Sequence, residues 1–389
     1  MNTKISEKEK KKVDVLHPDK VIMPGKTYFI ILATTIILLL SFTVALFAVF
    51  AMQSNNGDIN VPQKNNSGNA GNSQQNNSDG TSQGIIPNSQ GNSQNNSSGN
   101  SSSNKTNPTR SNYISTSASN VAKVGDQIES NNVILVDLST YESIAEKGAD
   151  EIIYPASMTK VMSLLVACER VTNLNAKMTV TKDIADYAYK MGGSGFLTGE
   201  NINDELTVRD LLYLTSYKSD TIAVIMLANH IAGSESSFVK LMNDKAKSLG
   251  LSNTNFANCT GLHDEKNYST CREIAAIMAY ALDNPLCKQL LTGTAAYKIQ
   301  TNSNNYTLWE PTWNGKDRFN GKTKLDTVTV KGGKTGYIDE SGVCLVSYAE
   351  GNGNLKRYIQ VIVGRPKGSG LTEADSTREV KFVYNTYAK

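Results

Sequence analysis

The chain has 389 residues, and at roughly 150 residues per domain this length suggests two or three domains. Lysine and arginine total 39 against 36 acidic residues, so the net charge of +3 does not indicate the clustered basic surface that binds nucleic acid. Aromatic residues make up 7% of the chain, yet none lies between Phe50 and Tyr113. Such an uneven distribution means that the chain must be divided before its length is interpreted.

The first 52 residues combine a lysine-rich tail with a long apolar segment. Residues 28–52 carry no charged side chain, and at 1.5 Å per residue their helix would be about 37 Å long, enough to cross a hydrocarbon core of about 30 Å. A cleavable signal peptide is the alternative, but its apolar region spans only about 7 to 15 residues. Residues 1–27 hold seven lysines, and positive flanks stay cytoplasmic. We therefore expect a cytoplasmic tail over 1–27 and a single transmembrane helix over 28–52, with the rest of the protein outside the cytoplasm.

Residues 53–112 consist almost entirely of Asn, Ser, Gln and Gly, with five charged side chains. Too few apolar groups are present to offset the entropy of ordering the chain, so we expect a disordered linker. As a flexible coil of 60 residues it would span roughly 40 to 45 Å end to end. An aggregation-prone tract is the competing interpretation of Asn and Gln richness, but the interspersed Gly and Ser favour a spacer.

Residues 113–389 alternate helical and strand patterns, which predicts one α/β (α+β) domain. Strand patterns stand at both of its ends and helical patterns between them, so we expect a single sheet assembled from both ends of the domain. The last two strand runs flank a glycine-bearing turn and predict an antiparallel hairpin. The predicted strands are 132–138, 327–331, 343–349 and 357–363, and the predicted helices are 160–171, 211–231 and 377–387.

The five cysteines form no C-x-x-C pair and are odd in number. A zinc site made by Cys259, His263 and Cys271 can be imagined, but their spacing matches no recurrent metal-binding pattern. Buried structural cysteines are the better interpretation, so no metal and no cofactor is expected.

Ser157 and Lys160 have the spacing of a nucleophile and its base on one helical face. A serine can attack an acyl group when a desolvated, partly neutral lysine takes its proton. Two other serines have a lysine three residues later, Ser102 and Ser237, but no supporting motif accompanies them. Tyr-Pro-Ala precedes Ser157, so the serine is placed at a helix start, where free backbone N–H groups can bind a developing oxyanion. A plain helix-capping serine is the alternative.

A second motif is Lys334-Thr335-Gly336, within the run KGGKTGYIDESG. A phosphate-binding loop is excluded, because that pattern requires glycine where the chain has Val328 and a helix where it has a strand pattern. A lysine and a hydroxyl along a strand edge suit a carboxylate ligand, and the glycines admit a substrate backbone close to the strand. An ordinary glycine-rich strand entry is the alternative.

Together these residues resemble the serine D-alanyl-D-alanine carboxypeptidases, the low-molecular-mass penicillin-binding proteins, whose signature combines S-x-x-K, S-x-N and K-T-G. The resemblance covers about residues 132–366. It rests on PASMTK at 155–160, TVRDLL at 207–212, LANHIAGS at 227–234, TGLHDEKNYST at 260–270 and GGKTGYIDESG at 332–342.

The resemblance implies a β-lactamase/transpeptidase-like fold, with an antiparallel five-stranded sheet flanked by helices plus an all-helical lobe. It also implies that the domain removes the terminal D-Ala from peptidoglycan stem peptides and binds β-lactam antibiotics. In that mechanism Ser157 is the nucleophile, Lys160 the general base and Ser219 a proton relay. Lys334, Thr335 and Gly336 would bind the substrate, and the backbone N–H groups of Ser157 and Tyr337 would form the oxyanion hole.

One position departs from the pattern. The S-x-N motif falls on Ser219-Asp220-Thr221, so Thr221 replaces an asparagine that orients the substrate and the lysine in the family. A threonine hydroxyl is shorter and lacks the two-ended reach of an amide. A catalytically impaired wall-binding or penicillin-sensing domain is therefore the alternative. A β-lactamase is a weaker one, because residues 258–270 match the carboxypeptidase loop.

Overall fold

The computed structural model describes residues 120–316 and 318–389. The expected tail (1–27), transmembrane helix (28–52) and linker (53–112) lie outside the described residues, as do the first residues of the expected catalytic domain. Within the described part of the chain no single helix is long and apolar enough to cross a membrane. Two helices bent by 83°, Thr221–Ala232 and Glu235–Ser248, meet that criterion only as a pair.

A six-stranded sheet forms the centre of the fold. Its strands are β1 (Ala122–Lys123), β2 (Asn132–Asp137), β3 (Glu142–Lys147), β8 (Val328–Ile338), β9 (Gly342–Gly351) and β10 (Arg357–Val363), and they lie side by side in the order β1-β3-β2-β10-β9-β8. Strands from the start and the end of the domain pair directly, since β2 is antiparallel to β10, and β10 to β9. The prediction of one sheet built from both ends is therefore confirmed, as is the β9–β10 hairpin.

The expectation of a five-stranded antiparallel sheet is wrong in one respect. The sixth strand, β1, has two residues and pairs in parallel with β3, Ala122 with Ala145 and Lys123 with Glu146. Two residues are too short to show the alternation of apolar and polar side chains that identifies a strand in a sequence. The mixed α/β fold itself agrees with the prediction.

Both faces of the sheet are buried. Along β2, Ile134 and Val136 face the larger apolar core, whereas Val133 and Leu135 face the smaller one, as the two-residue period of a strand requires. The larger core belongs to the helical lobe, and the smaller core is closed by the C-terminal helix, Glu373–Tyr387. The nearly continuous apolar runs of β2 and β10 follow from burial on both sides.

Eight α-helices of 8 to 15 residues lie in the part of the chain that the structure describes. They are α1 (Lys160–Arg170), α2 (Lys182–Lys190), α3 (Val208–Tyr217), α4 (Thr221–Ala232), α5 (Glu235–Ser248), α6 (Cys271–Asp283), α7 (Pro285–Thr292) and α8 (Glu373–Tyr387). Two small hairpins complete the lobe, β4 (Lys177–Thr179) with β5 (Glu205–Thr207), and β6 (Tyr297–Gln300) with β7 (Asn305–Leu308).

The single helix predicted over 211–231 is two helices, α3 and α4. Ser219 adopts the left-handed conformation with φ of 56°, which a continuous helix cannot contain. Asp220 then caps α4 by accepting a hydrogen bond from the Ala223 backbone N–H at 2.8 Å. The apolar periodicity continues through the break because both helices pack against the same core. This break presents Ser219 at a turn.

Candidate active site

Ser157 lies in a 3₁₀ turn, Ala156–Thr159, that leads directly into α1. The Lys160 Nζ at the first position of α1 lies 3.1 Å from the Ser157 Oγ. Ala156, just before the serine, has a φ of 48°, which is uncommon for a residue with a side chain. Such strained conformations persist when the surrounding structure imposes them, and they concentrate at functional sites. The predicted serine and lysine are thus in hydrogen-bond contact.

Lys160 is 1% exposed, and its environment makes it a weaker ammonium. Burial lowers its pKa from 10.5 to about 8, although the neighbouring Cys259 and Asp220 act in the opposite direction. Its amine also donates to the Thr260 carbonyl at 2.6 Å. Of the two N–H bonds of a neutral amine, one is therefore directed at Thr260, and the lone pair remains able to accept the Ser157 proton.

Two glycines let other segments approach the serine. Gly261 has a φ of 78°, and a Cβ at this position would lie 1.9 Å from the Ala156 carbonyl oxygen. On β8, a Cβ at Gly336 would lie 3.0 Å from the Ser157 backbone nitrogen. The Thr260 loop and the edge strand β8 therefore close around Ser157 with only backbone at the points of contact.

Lys334 and Ser219, for which the sequence predicted separate roles, form a second lysine–serine pair. The Lys334 Nζ, on β8, donates to the Ser219 Oγ at 2.9 Å and to the Thr335 carbonyl at 2.9 Å. Lys334 has no exposed surface, and burial, followed by the charges of Lys160 and Arg318, lowers its pKa well below the usual range. Two buried amines, each bonded to a serine hydroxyl, thus share one site.

The other predicted substrate-binding residues lie along the same strand. Thr335 is partly buried, and its hydroxyl hydrogen-bonds the Thr312 hydroxyl at 2.8 Å. Tyr337 follows Gly336 and is 52% exposed. Because β8 is the edge strand of the sheet, and residues 323–325 bond its outer side only near its start, an extended peptide can align along that side beside Lys334.

Asp220 is a part of the site that the sequence interpretation treated only as the middle of a motif. It is fully buried, and its carboxylate accepts backbone N–H groups from Phe196 and Leu197, both at 2.6 Å, besides that of Ala223. Burial raises its pKa, and those hydrogen bonds together with the Lys160 charge oppose that rise. Asp220 joins the loop before residue 197 to the start of α4, and its charge acts on Lys160.

Thr221 does not take the role that an asparagine would have there. Its hydroxyl donates to the Ser194 carbonyl at 2.8 Å and accepts from the Ser194 N–H at 3.2 Å. The side chain is therefore engaged with the loop that precedes Leu197. The Thr221 hydroxyl therefore hydrogen-bonds this loop and neither of the paired lysines and serines.

The expectation that no E-x-x-x-N segment of the class A β-lactamase kind lies between Ser219 and Lys334 is wrong as to spacing, because residues 310–314 read Glu-Pro-Thr-Trp-Asn. In the structure this segment adjoins Thr335: Thr312 bonds the Thr335 hydroxyl, and the Glu310 carbonyl accepts from the Lys218 Nζ at 3.0 Å. The Asn314 side chain accepts the Gly321 N–H at 3.0 Å. These contacts make the segment a wall of the cleft beside the K-T-G strand, a role that its spacing did not reveal.

The imagined zinc ligands are directed elsewhere. The Cys259 thiol donates to Glu235 at 3.1 Å, and the His263 ring packs edge-on against Tyr154 and approaches Glu340 at 3.6 Å. Within residues 120–316 and 318–389 no three His, Cys, Asp or Glu side chains are grouped to hold a metal ion. Four of the five cysteines are buried, as expected, and Cys168 is partly exposed.

Comparison with known proteins places this arrangement in a family. The profile of the D-alanyl-D-alanine carboxypeptidase family matches residues 116–367. The D-alanyl-D-alanine carboxypeptidase DacF of Bacillus subtilis is 33% identical over 261 residues, which are 67% of this chain and 63% of that protein. A D-alanyl-D-alanine endopeptidase of Escherichia coli is 28% identical over 228 residues, 57% of this chain and 67% of its own length.

Solved structures of penicillin-binding and transpeptidase proteins have a similar fold. A Streptomyces DD-transpeptidase superposes with a TM-score of 0.56 and 25% identity, covering 67% of this chain and 98% of that one. Penicillin-binding protein 5 from Haemophilus influenzae gives a TM-score of 0.56 and 27% identity, covering 67% and 72%. The fold and site therefore define a transpeptidase-like serine acyl-transfer protein, and the chain belongs to the D-alanyl-D-alanine carboxypeptidase family. It spans slightly less than two thirds of the length of DacF.

Proposed function

We propose that this protein is a serine-type D-Ala-D-Ala carboxypeptidase that removes the terminal D-Ala from peptidoglycan stem peptides. The observation that carries the proposal is the Ser157–Lys160 pair, with 3.1 Å between hydroxyl and amine and a lysine pKa of about 8. A lysine at its ordinary pKa would be a poor base at neutral pH, whereas a pKa near the working pH suits proton transfer. The family membership supports the same chemistry.

In the acylation step the Ser157 Oγ attacks the carbonyl carbon of the penultimate D-Ala, and Lys160 takes the hydroxyl proton. The developing oxyanion is bound by the backbone N–H groups of Ser157 and Tyr337. Support for this placement comes from Gly336, which lets β8 approach the Ser157 nitrogen closely. The C–N bond then breaks and leaves the peptide as an ester on Ser157.

The leaving D-Ala needs a proton on its nitrogen and a partner for its carboxylate. Ser219 relays the proton, since its hydroxyl already contacts the Lys334 amine. Lys334 and Thr335 bind the carboxylate, and the substrate backbone runs along β8 past Gly336. Water, activated by Lys160, next hydrolyses the ester and returns Ser157 to its free form. A β-lactam would acylate Ser157 by the same attack.

The proposed setting is the outer face of the cell membrane. The segment 28–52 anchors the chain with residues 1–27 in the cytoplasm, and the polar linker 53–112 carries the domain 113–389 to the peptidoglycan. Protease added to intact cells should release the domain by cleaving the linker. If the domain is released only after cell lysis, this orientation is wrong.

A second candidate is a non-catalytic stem-peptide or penicillin-binding domain, and the Thr221–Ser194 hydrogen bonds favour it. A side chain held by this loop does not orient a substrate amide. Such a domain would bind the peptide without releasing D-Ala.

The deciding experiment measures D-Ala release from an N-acyl-D-Ala-D-Ala peptide, together with labelling by fluorescent penicillin. We expect the wild type to release D-Ala and to be labelled, and Ser157→Ala to do neither. Ser237→Ala is the matched control, because Ser237 also has a lysine three residues later. Thr221→Asn should raise the release rate if the threonine limits the reaction. Absence of both release and labelling in the folded wild type would refute the carboxypeptidase proposal, and turnover of a chromogenic cephalosporin would indicate a β-lactamase.

A further inference from the structure

Glu235, the first residue of α5, reaches across to the loop that carries the Thr260 carbonyl. Its Oε1 accepts hydrogen bonds from the Cys259 backbone N–H at 3.0 Å and from the Cys259 thiol at 3.1 Å. Cys259 has no exposed surface, so its N–H needs a partner within the protein, and Glu235 supplies it. The carboxylate therefore joins the helical lobe to a loop that lies 24 residues further along the chain.

The other oxygen of the Glu235 carboxylate is held as well. The Tyr187 hydroxyl, on α2, donates to the Glu235 Oε2 at 2.7 Å. Burial, followed by the hydrogen bond to Glu235, raises the pKa of Tyr187 to about 12, so this hydroxyl remains a donor at neutral pH. Ser234 caps α5 just before Glu235, which places the carboxylate in the first turn of a helix, where a negative charge is favourable. These contacts fix the carboxylate where Cys259 meets it.

The same loop is attached to α1 on its other side. The Ser163 Oγ, three positions after Lys160, donates to the Cys259 carbonyl at 2.7 Å. The next carbonyl along the loop, that of Thr260, accepts from the Lys160 Nζ at 2.6 Å. The backbone of Cys259 is thus fastened at its N–H by Glu235 and at its carbonyl by Ser163. The position of the Thr260 carbonyl follows from these two attachments.

The Thr260 carbonyl determines which way the Lys160 amine points. A carbonyl oxygen can only accept a hydrogen bond, so it holds one N–H of the amine and leaves the lone pair for the Ser157 hydroxyl, 3.1 Å away. Without this carbonyl the amine would be free to turn, and transfer of the serine proton depends on the alignment of donor and acceptor. A residue that holds the loop therefore acts on the proposed base.

We propose that Glu235 is a positioning residue, which keeps the Thr260 carbonyl against the Lys160 amine. It acts through the Cys259 backbone, and no step of the proposed reaction uses its own carboxylate. The inference rests on the proposed function, because that function assigns the proton transfer to Lys160. It predicts that acylation slows when position 235 offers no acceptor to Cys259, and that it recovers when an uncharged acceptor is present.

The test compares two replacements of Glu235 in the full-length chain. Glu235→Met keeps a side chain of similar length but offers no oxygen, whereas Glu235→Gln retains one. The assay is the second-order rate of labelling by fluorescent penicillin at about pH 9.5, above the Lys160 pKa of about 8, so differences in ionisation contribute little. Because a misplacement of about 1 Å can cost about 100-fold, we expect Glu235→Met to be at least about 10-fold slower and Glu235→Gln to stay within about 3-fold of the wild type. Asp244→Met, which removes an exposed acid of the same helix, is the matched control and should label at the wild-type rate.

A second measurement follows the loop without any catalysis. Iodoacetamide alkylates exposed thiols, and mass spectrometry locates the modified cysteines. Cys259 should be protected in the wild type and in Glu235→Gln, and it should react at least about 10-fold faster in Glu235→Met, as local opening of a buried segment implies. Cys271, which is equally buried on α6, should stay protected in every variant and so reports on the integrity of the fold.

Three results would overturn the inference: a wild-type labelling rate in Glu235→Met, an equal loss of rate in Glu235→Met and Glu235→Gln, or a lower labelled fraction with an unchanged rate constant. The last result is the one that a purely structural role predicts. If Glu235→Met does not fold, Ser163→Ala gives the same two measurements, because it releases the Cys259 carbonyl from α1. It should also slow labelling and expose Cys259, and wild-type values for both would contradict the proposal.

Failure of the proposed function has a different signature. A folded wild type that penicillin does not label would refute acylation at Ser157, whatever happens at Cys259. Labelling of the wild type together with full protection of Cys259 in Glu235→Met would instead refute the role of Glu235 and leave the proposed function intact.

Discussion

The ionisation of Lys160 gives the sharpest test of the proposed chemistry. Burial lowers its pKa from 10.5 to about 8. At 1.36 kcal/mol per pKa unit, a pKa lower by roughly 2.5 means that the ammonium form of Lys160 is less stable by about 3.4 kcal/mol. At pH 7 the free base would be about 10% of the population instead of about 0.03%, a gain of roughly 300-fold. Because only the free base accepts the Ser157 proton, acylation should accelerate as the pH rises and level off above about 8.

The perturbation that probes this ionisation is Asp220→Asn. The Asp220 carboxylate raises the Lys160 pKa, so its removal should lower that pKa. The rising limb of the acylation rate plotted against pH should then move to lower pH. An asparagine oxygen can still accept the Ala223 N–H and so preserve the cap of α4, but its amide NH2 would face the Phe196 and Leu197 N–H groups, so the fold of the variant is checked by NMR before the rates are compared. The assay is the second-order rate of penicillin labelling between pH 5 and 10, with Asp183→Asn, an exposed aspartate of α2, as the control that should leave the limb in place.

Two results would refute this reasoning. A wild-type rate that is constant between pH 6 and 9 would mean that Lys160 does not limit acylation through its proton. A limb that moves to higher pH in Asp220→Asn would mean that the carboxylate acts on another group. Lys160→Arg provides the reference without a base, because arginine keeps its proton throughout this range, and it should not be labelled.

Three further predictions concern the architecture of the site and its support. Gly261→Ala should cut labelling at least 100-fold, since its Cβ would overlap the Ala156 carbonyl at a φ of 78°, and crystal or NMR comparison should show a displaced loop while the global fold persists. Asp220→Ala should lower the free energy of unfolding in urea by about 3 kcal/mol, because three backbone N–H groups lose their acceptor; a loss below about 1 kcal/mol would contradict this account. Arg272→Met should destabilise by about 1 to 2 kcal/mol, since it removes the guanidinium partner of Asp150 at 2.6 Å and of Glu146 at 2.8 Å, and water can solvate both partly exposed carboxylates. That guanidinium lowers the Asp150 pKa, so the wild-type advantage is present above pH 3.8 and declines as the pH falls through the lower folded-state pKa.

Contacts between residues close in the sequence could be predicted more readily than contacts between residues far apart in it. The Ser157–Lys160 contact follows from a spacing of three residues at a helix start, and the buried strands follow from apolar runs. The meeting of Lys160 with the Thr260 carbonyl joins residues 100 positions apart, and no periodicity encodes it. The resemblance to a known family brought Ser219 and Lys334 into one site, whereas spacing alone left each an ambiguous motif.

The residues that escaped prediction share a physical reason. Arg318 and Thr312 lie in a segment without helical or strand periodicity, so their burial depends on how that segment packs against β8. The break between α3 and α4 was missed because an apolar pattern reports which face is buried and carries no record of a left-handed residue. Thr221 was noted as a departure from the family pattern, but its hydrogen bond to Ser194 depends on a loop whose position the sequence does not specify.

The balance of buried charge explains why the site should favour an anionic substrate. Lys160, Lys334 and Arg318 are buried cations, and Asp220 is the fully buried carboxylate that acts on Lys160. Neutralising one amine relieves part of the excess, which is the change that makes Lys160 a base. The other two cations, Lys334 and Arg318, lie on the Thr335 side of the cleft, where burial also lowers the Lys334 pKa and Glu373 lies 3.7 Å from the Arg318 Nη2. A substrate carboxylate bound there would stabilise the charged form of Lys334 and leave Lys160 as the amine that accepts a proton, so binding the correct C-terminus would itself assign the two lysines their different roles.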